Sequence, residues 1–104
     1  MAVIDVSPES DLPNGKVTQV WVDDEPIGVY HVDGRYFALG DVCTHQEFYL
    51  SDGGLIEDHT VECALHGSRF DLRTGLALSM PATGEVPTYR VWVEDGIIKL
   101  EVPD

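Results

Sequence analysis

The chain has 104 residues, of which 6 are Lys or Arg and 19 are Asp or Glu, so its formal net charge is −13. This balance argues against binding to nucleic acid or to anionic membranes through basic residues and favours a basic protein partner, although ordinary surface solvation accounts for most of the charge. At this length we expect one domain spanning residues 1–104.

The amino-terminal segment, from Met1 to Glu9, has neither the positively charged region nor the apolar region of a secretory or transit signal. The longest apolar run, Tyr36 to Leu39, is much shorter than the ~20 residues that a membrane-spanning helix needs. We therefore expect a cytoplasmic protein without a membrane segment. Its two cysteines would then stay reduced and available as metal ligands.

Short segments rich in β-branched and aromatic residues alternate with turn signals along the chain, which predicts an antiparallel all-β fold. The first strand-like segment is Lys16 to Val22, and the acidic residues and proline at positions 23–26 are expected to break it. The next two segments, Ile27 to Val32 and Arg35 to Leu39, flank Asp33-Gly34. This dipeptide is typical of a two-residue hairpin turn, in which both residues adopt positive φ.

The stretch from Asp41 to Pro81 differs from the flanking segments and is predicted to be a small subdomain inserted in a β sandwich. It contains a possible single helical turn around Phe48 to Ser51, and the turn at positions 73–75 between strand-like residues 68–72 and 76–78. Residues 81–87 are predicted to form a loop that packs near this subdomain.

A second hairpin is predicted at the carboxyl end, where Thr88 to Glu94 and Ile97 to Val102 flank Asp95-Gly96. In its second strand Ile98, Leu100 and Val102 share one face, which is the expected core face. The two tryptophans, Trp21 and Trp92, lie in strand patterns and are interpreted as sheet-packing residues rather than electron relays.

Four residues in the middle of the chain form a metal-ligand pattern: Cys43, His45, Cys63 and His66. They are spaced as C-x-H and, after seventeen residues, C-x2-H, so each arm offers one thiolate and one imidazole. A zinc finger usually separates its cysteines and histidines onto different arms. A structural zinc site and a disulfide between the two cysteines remain the alternatives. The other two histidines, His31 and His59, are assigned no role.

The segments Cys43-Thr44-His45 and Cys63-Ala64-Leu65-His66-Gly67 resemble the two loops that bind the cluster in Rieske proteins. In that family two histidines replace two cysteines on one iron of a [2Fe–2S] cluster. The resemblance implies that the cysteines bind the inner iron and the histidines the outer iron. It also implies an antiparallel β sandwich with a small cluster-binding subdomain of two loops, at about residues 41–81.

The chain departs from the high-potential branch of that family at three positions. Phe48 and Leu65 stand where that branch has two further cysteines, so no disulfide can join the loops. Ser68 is kept as a donor to sulfur, whereas Phe70 replaces the tyrosine donor. Because such hydrogen bonds stabilise the reduced cluster, we expect a midpoint potential near the lower end of the Rieske range, about −150 mV.

The chain resembles the ferredoxin components of bacterial aromatic-ring-hydroxylating dioxygenase systems. This resemblance implies a monomeric one-electron carrier that takes electrons from a flavin-dependent ferredoxin reductase and delivers them to a terminal oxygenase. Only 38 residues follow His66, and none is a histidine, so no second catalytic iron site is expected and the chain is not predicted to be an enzyme. The alternative is a permanent small subunit, as in assimilatory nitrite reductases. The predicted contact residues are Gln46, Glu47, Phe48, Leu65 and Pro81.

Overall fold

A computed structural model describes residues 2–42, 49–53, 55–57, 59–62, 69–78 and 84–103. A single 3₁₀ turn spans Glu9–Asp11, and the short helix α1 spans Leu50–Gly53. The strands are β1 (Ala2–Pro8), β2 (Val17–Val22), β3 (Glu25–Val32), β4 (Arg35–Gly40), β5 (Leu55–Glu57), β6 (Thr60–Glu62), β7 (Arg69–Asp71), β8 (Thr88–Tyr89), β9 (Val91–Glu94) and β10 (Ile97–Val102).

The described strands form three antiparallel sheets. Their orders are β1-β10-β9, β2-β3-β4-β8 and β5-β6-β7. The predicted all-β antiparallel fold class is therefore confirmed. The third sheet and α1 lie within the stretch from 41 to 81, where the sequence changes character.

Both predicted Asp-Gly hairpin turns are present. Asp33 and Gly34 have φ of 51° and 80°, and Asp95 and Gly96 have φ of 54° and 76°. Positive φ at both central residues matches the right-handed twist of the flanking strands, which explains why the dipeptide fixes these turns. In β10, residues 98, 100 and 102 are buried, as the alternating pattern predicts.

The expected break after Val22 is present, because β2 ends there and Asp23 and Asp24 form a third two-residue turn, with φ of 47° and 69°. The break is shorter than expected, since Glu25 and Pro26 already belong to β3. Aspartate tolerates this left-handed region because its short polar side chain can bond locally. Pro26 lies inside β3 opposite Trp21, and its carbonyl accepts a hydrogen bond from the Asp41 N–H at 3.0 Å.

Two non-local features were not predicted. β1 pairs with β10 along its length, from Ala2 opposite Val102 to Pro8 opposite Ile97. The predicted continuous strand from 88 to 94 is divided at Arg90, because β8 pairs with β4 whereas β9 pairs with β10. The chain therefore passes from one sheet to the other at this residue.

Buried apolar residues form two separate cores, and β3 contributes to both. Core A consists of Tyr30, Val32, Leu39, Leu50, Val61, Phe70, Leu72 and Val86. Core B consists of Leu12, Ile27, Val29, Ala38, Ile98, Leu100 and Val102. Successive side chains of a strand point to opposite faces, so β3 separates the two cores. Core A takes residues from the third sheet and α1, while none of the described residues of these elements belongs to core B.

Gly75 is required by both its backbone conformation and its surroundings. Its φ is +77°, and a Cβ there would lie 2.2 Å from the Val86 carbonyl oxygen. Gly96 has nearly the same φ, +76°, but nothing lies within 4 Å of its Cβ position.

We expect Gly96→Ala to cost about 1–2 kcal/mol of unfolding free energy through φ alone. Gly75→Ala should cost about 1–3 kcal/mol more through the clash. Urea unfolding of both variants measures the difference, and equal losses would contradict this packing.

Candidate metal centre

The first candidate ligand segment begins and ends at a backbone bridge. Val42 pairs antiparallel with Tyr49, and the Leu50 N–H donates to the Asp41 carbonyl at 2.8 Å. The intervening residues 43–48 contain Cys43 and His45, which lie outside the described residues. The chain on both sides of these two predicted ligands is therefore fixed by main-chain bonds.

The second candidate segment is held in the same way. Glu62 at the end of β6 pairs with Arg69 at the start of β7, and their side chains form an ion pair with Nε and Oε1 3.6 Å apart. The residues between them, 63–68, contain Cys63 and His66, which also lie outside the described residues. Each predicted pair of ligands thus belongs to a six-residue connection between paired positions.

A third connection starts beside the second. Leu78 donates its backbone N–H to the Arg69 carbonyl at 2.7 Å, and Ala77 donates to the Gly84 carbonyl at 2.8 Å. Leu76 also pairs with Glu85. The described end of the predicted 81–87 loop therefore pairs with residues 76 and 77, next to Leu78, which is bonded to the base of the second ligand segment. Residues 79–83, which include Pro81, lie outside the described part.

The bases of both ligand segments belong to one packed unit. Helix α1, which follows the first segment, contacts β6, which precedes the second. Leu50, Val61 and Phe70 are fully buried together in core A. Two thiols and two imidazoles on neighbouring connections are the donor set of a Rieske cluster, so the residues present fit a [2Fe–2S] group.

Asp41 is the buried acid of this region, with 1% of its surface exposed. Its Oδ1 accepts the Ser51 N–H at 2.8 Å, and its Oδ2 accepts the Ser51 hydroxyl at 2.5 Å and the Gln19 amide at 2.6 Å. One carboxylate thus joins the strand before the first segment, the helix after it and β2. The sequence reasoning missed this network, for which the position of Asp41 directly after a strand was the available signal.

Gly28 allows two polar groups to approach each other in the interior. A Cβ at Gly28 would lie 3.0 Å from Asp41 Oδ1 and 3.2 Å from the Tyr30 hydroxyl oxygen. Burial, and secondly the charge of Asp41, raise the pKa of Tyr30, so this phenol stays protonated. Within the described residues the Tyr30 hydroxyl has no hydrogen-bond partner.

One of the two tryptophans interpreted as sheet-packing residues, Trp21, is largely exposed. Trp21 lies in β2 as expected, but its side chain is 54% exposed and is not packed on the sheet. Its indole N–H donates to Gln19 Oε1 at 3.0 Å, and its ring meets Tyr49 edge-on with centroids 6.0 Å apart. Trp92 is half-buried, with the Arg90 guanidinium 5.2 Å from its ring centroid.

The two unassigned histidines have local partners. His31 Nδ1 lies 2.8 Å from the Leu12 carbonyl oxygen, and its ring stacks on Tyr36 with centroids 4.4 Å apart. His59 meets Phe37 edge-on at 5.8 Å. These contacts agree with ordinary strand and turn histidines. In the described ranges no three His, Cys, Asp or Glu side chains converge as a metal site.

Of the two positions that carry the donors to sulfur in the high-potential branch, 68 and 70, the structure describes only Phe70. It is fully buried in core A and pairs with Val61 across β6 and β7. The remaining predicted loop and contact residues lie outside the described part: Thr44, Gln46, Glu47, Phe48, Ala64, Leu65, Gly67 and Ser68. Across the part of the chain that the structure covers, no helix has the length and apolar character needed to cross a membrane.

Comparison with known proteins identifies the family. The model of the Rieske [2Fe–2S] domain matches residues 2–90. The 3-phenylpropionate/cinnamic acid dioxygenase ferredoxin subunit of Escherichia coli (strain K12) is 41% identical over 98 residues, covering 93% of this chain and 91% of that protein.

Two solved structures give the same result. The ferredoxin of carbazole 1,9a-dioxygenase from Nocardioides aromaticivorans IC177 superposes with a TM-score of 0.90 at 29% identity, covering 96% of this chain and 97% of that one. A chain from the complex of reduced oxygenase and oxidized ferredoxin in carbazole 1,9a-dioxygenase gives 0.88 at 32% identity, with 94% and 91% covered. The chain therefore belongs to the Rieske [2Fe–2S] family, with one cluster per chain, and is a ferredoxin-type electron-transfer component rather than a catalytic enzyme.

Proposed function

We propose that Cys43 and Cys63 supply thiolates to the inner iron and that His45 and His66 supply imidazoles to the outer iron of one [2Fe–2S] cluster. The paired bases at Val42–Tyr49 and Glu62–Arg69 support this assignment, because each fixes the ends of a connection that carries one thiol and one imidazole. Residues 41–81 would then form the cluster-binding subdomain of a single Rieske domain spanning residues 1–104.

The bound cluster would supply storage for one electron. The protein's own groups set its surroundings: each histidine bound through one ring nitrogen keeps the other nitrogen free to hold a proton, and added negative charge on reduction favours the protonated ring. Phe70, packed in core A, brings no hydroxyl group to this region. The low midpoint potential expected from the sequence stays a prediction.

In the proposed role the protein accepts single electrons from a flavin-dependent ferredoxin reductase and delivers them to the terminal oxygenase of an aromatic-ring dioxygenase system. The relatives named as dioxygenase ferredoxins, and the solved complex of one such ferredoxin with its oxygenase, support this role over a permanent reductase subunit. A cytoplasmic monomer that binds neither nucleic acid nor membranes fits the −13 charge and a transient, exchanging carrier.

The observation that carries this proposal is the pairing of the residues that flank both connections, Val42 with Tyr49 and Glu62 with Arg69, because the two connections together carry a complete donor set. Reconstitution with candidate reductase and oxygenase tests it. We expect product formation to require this protein and to cease when it is omitted, because the oxygenase would then lack its electron donor. Chromatographic measurement of product against protein concentration checks this. Full turnover with reductase and oxygenase alone would contradict the carrier role.

A further inference from the structure

We propose that the Trp21 surface, defined by Trp21, Pro26, Val42 and Tyr49, is a docking site for the terminal oxygenase. This surface would bind an Arg or Lys side chain of the oxygenase together with the apolar residues next to it. This inference rests on the function proposed above and adds to it a surface on β2 and β3, outside the ligand segments. None of the contact residues predicted from sequence belongs to it.

Exposure of apolar groups is the first observation. Trp21 is 54% exposed and Val42 is 40% exposed, although both are large apolar side chains. Together with Pro26, Tyr49 and Asp24 they line an open groove of about 380 Å³. Contiguous apolar groups of this kind on a charged surface mark interaction sites.

The second observation is that the exposed indole is already held in place. Its N–H is bonded to Gln19, whose amide in turn donates to the buried Asp41 carboxylate. Tyr49, which pairs with Val42, contacts the ring edge-on. A side chain ordered before binding loses little conformational entropy on binding, and tryptophan is the residue most enriched among interface hot spots.

Position is the third observation. Val42 and Tyr49 are the residues directly before and after the connection that carries Cys43 and His45. A partner seated on the Trp21 surface would therefore contact the two residues that flank the first ligand segment.

Charge identifies the chemistry of the partner. Asp24 lines the groove itself, and the neighbouring groove shares Asp24, Pro26 and Val42 and adds Glu25. Among the described residues that line these two grooves there is no Lys or Arg. A guanidinium or ammonium group can bind the carboxylates and lie against the indole face. A second copy of this chain, with a charge of −13, would instead be repelled.

The test compares Trp21→Ala with Trp92→Ala, which removes a tryptophan from another strand. The binding probe is the oxygenase that accepts electrons from the wild-type protein, and its Kd is measured by surface plasmon resonance. We expect Trp21→Ala to weaken oxygenase binding at least about tenfold, because a hot-spot side chain is lost. Iron content, visible spectrum and midpoint potential should match the wild type, and Trp92→Ala should bind as the wild type does.

Glu25→Lys, at an exposed position of β3, provides a second variant that does not depend on Trp21. We expect it to weaken oxygenase binding, and to do so more at low than at high ionic strength. Unchanged oxygenase affinity in both variants would overturn the proposal, including the case in which only binding to the reductase falls. Since wild-type electron delivery is measured separately, failure of this proposal is distinguishable from failure of the carrier function.

Discussion

Alanine at Cys43, His45, Cys63 or His66 will leave a chain that retains essentially no [2Fe–2S] cluster. Each replacement removes one of four proposed bonds to iron, and neither the remaining three ligands nor water restores the thiolate and imidazole set. Iron and sulfide per chain, together with visible absorption after anaerobic purification, measure the outcome.

The other two histidines are the matched controls for this experiment. His31→Ala and His59→Ala remove rings that contact Tyr36 and Phe37 and that the proposed ligand set does not include, so both variants should keep wild-type iron content and colour. An intact, reducible chromophore in His45→Ala or His66→Ala would contradict the ligand assignment. Wild-type protein that is colourless and contains zinc would favour the alternative structural site.

Asp41→Ala is expected to destabilise the protein by about 3 kcal/mol. It leaves the Ser51 N–H, the Ser51 hydroxyl and the Gln19 amide without their acceptor, and hydrogen bonds to a charged group contribute about 1.5–3 kcal/mol each before partial recovery by water. For a domain of this size the midpoint of thermal unfolding should fall by more than about 10 °C. Because Asp41 lies two residues before Cys43, the bound chromophore should also be lost faster.

Asp52→Ala is the matched control for this substitution, since Asp52 is an exposed acid of the neighbouring helix α1. Its unfolding free energy should stay within about 0.5 kcal/mol of the wild type. The unfolding free energy of Asp41→Asn should lie between those of Asp41→Ala and the wild type. The amide keeps one oxygen to accept from the Ser51 N–H, but its NH₂ group would face the Ser51 hydroxyl and the Gln19 amide, which are donors. Urea unfolding and the rate of absorbance loss measure all three variants. Wild-type values for Asp41→Ala would show that the network does not stabilise the fold.

Local sequence signals predicted the parts of this fold that local chemistry determines. Asp33-Gly34 and Asp95-Gly96 form the expected hairpins because glycine adopts positive φ without steric cost. Asp23-Asp24 forms the same kind of turn without a glycine, so the break after Val22 was predicted but the entry of Pro26 into β3 was not. The pairing of β1 with β10 joins residues almost a full chain length apart, and no local pattern encodes it.

The candidate site also has one part that local sequence could predict and one part that it could not. A candidate ligand set could be proposed from the sequence because thiol and imidazole groups at this spacing have few alternative uses. The residues that support it could not, since Gln19, Asp41 and Ser51 come together only through tertiary packing. The same limit applies to Trp21, whose strand was predicted correctly. Its exposure depends on how β2 and the Val42–Tyr49 bridge are arranged in space.

The separation of the two hydrophobic cores bears on how the protein is matured in the cell. Among the described residues, core B and the side chains packed against it include none from positions 41–81. We therefore expect an iron-free polypeptide to be able to assemble this half by burying apolar surface. Cluster insertion would then act on the other half of the molecule, where the bases of both ligand segments pack in core A.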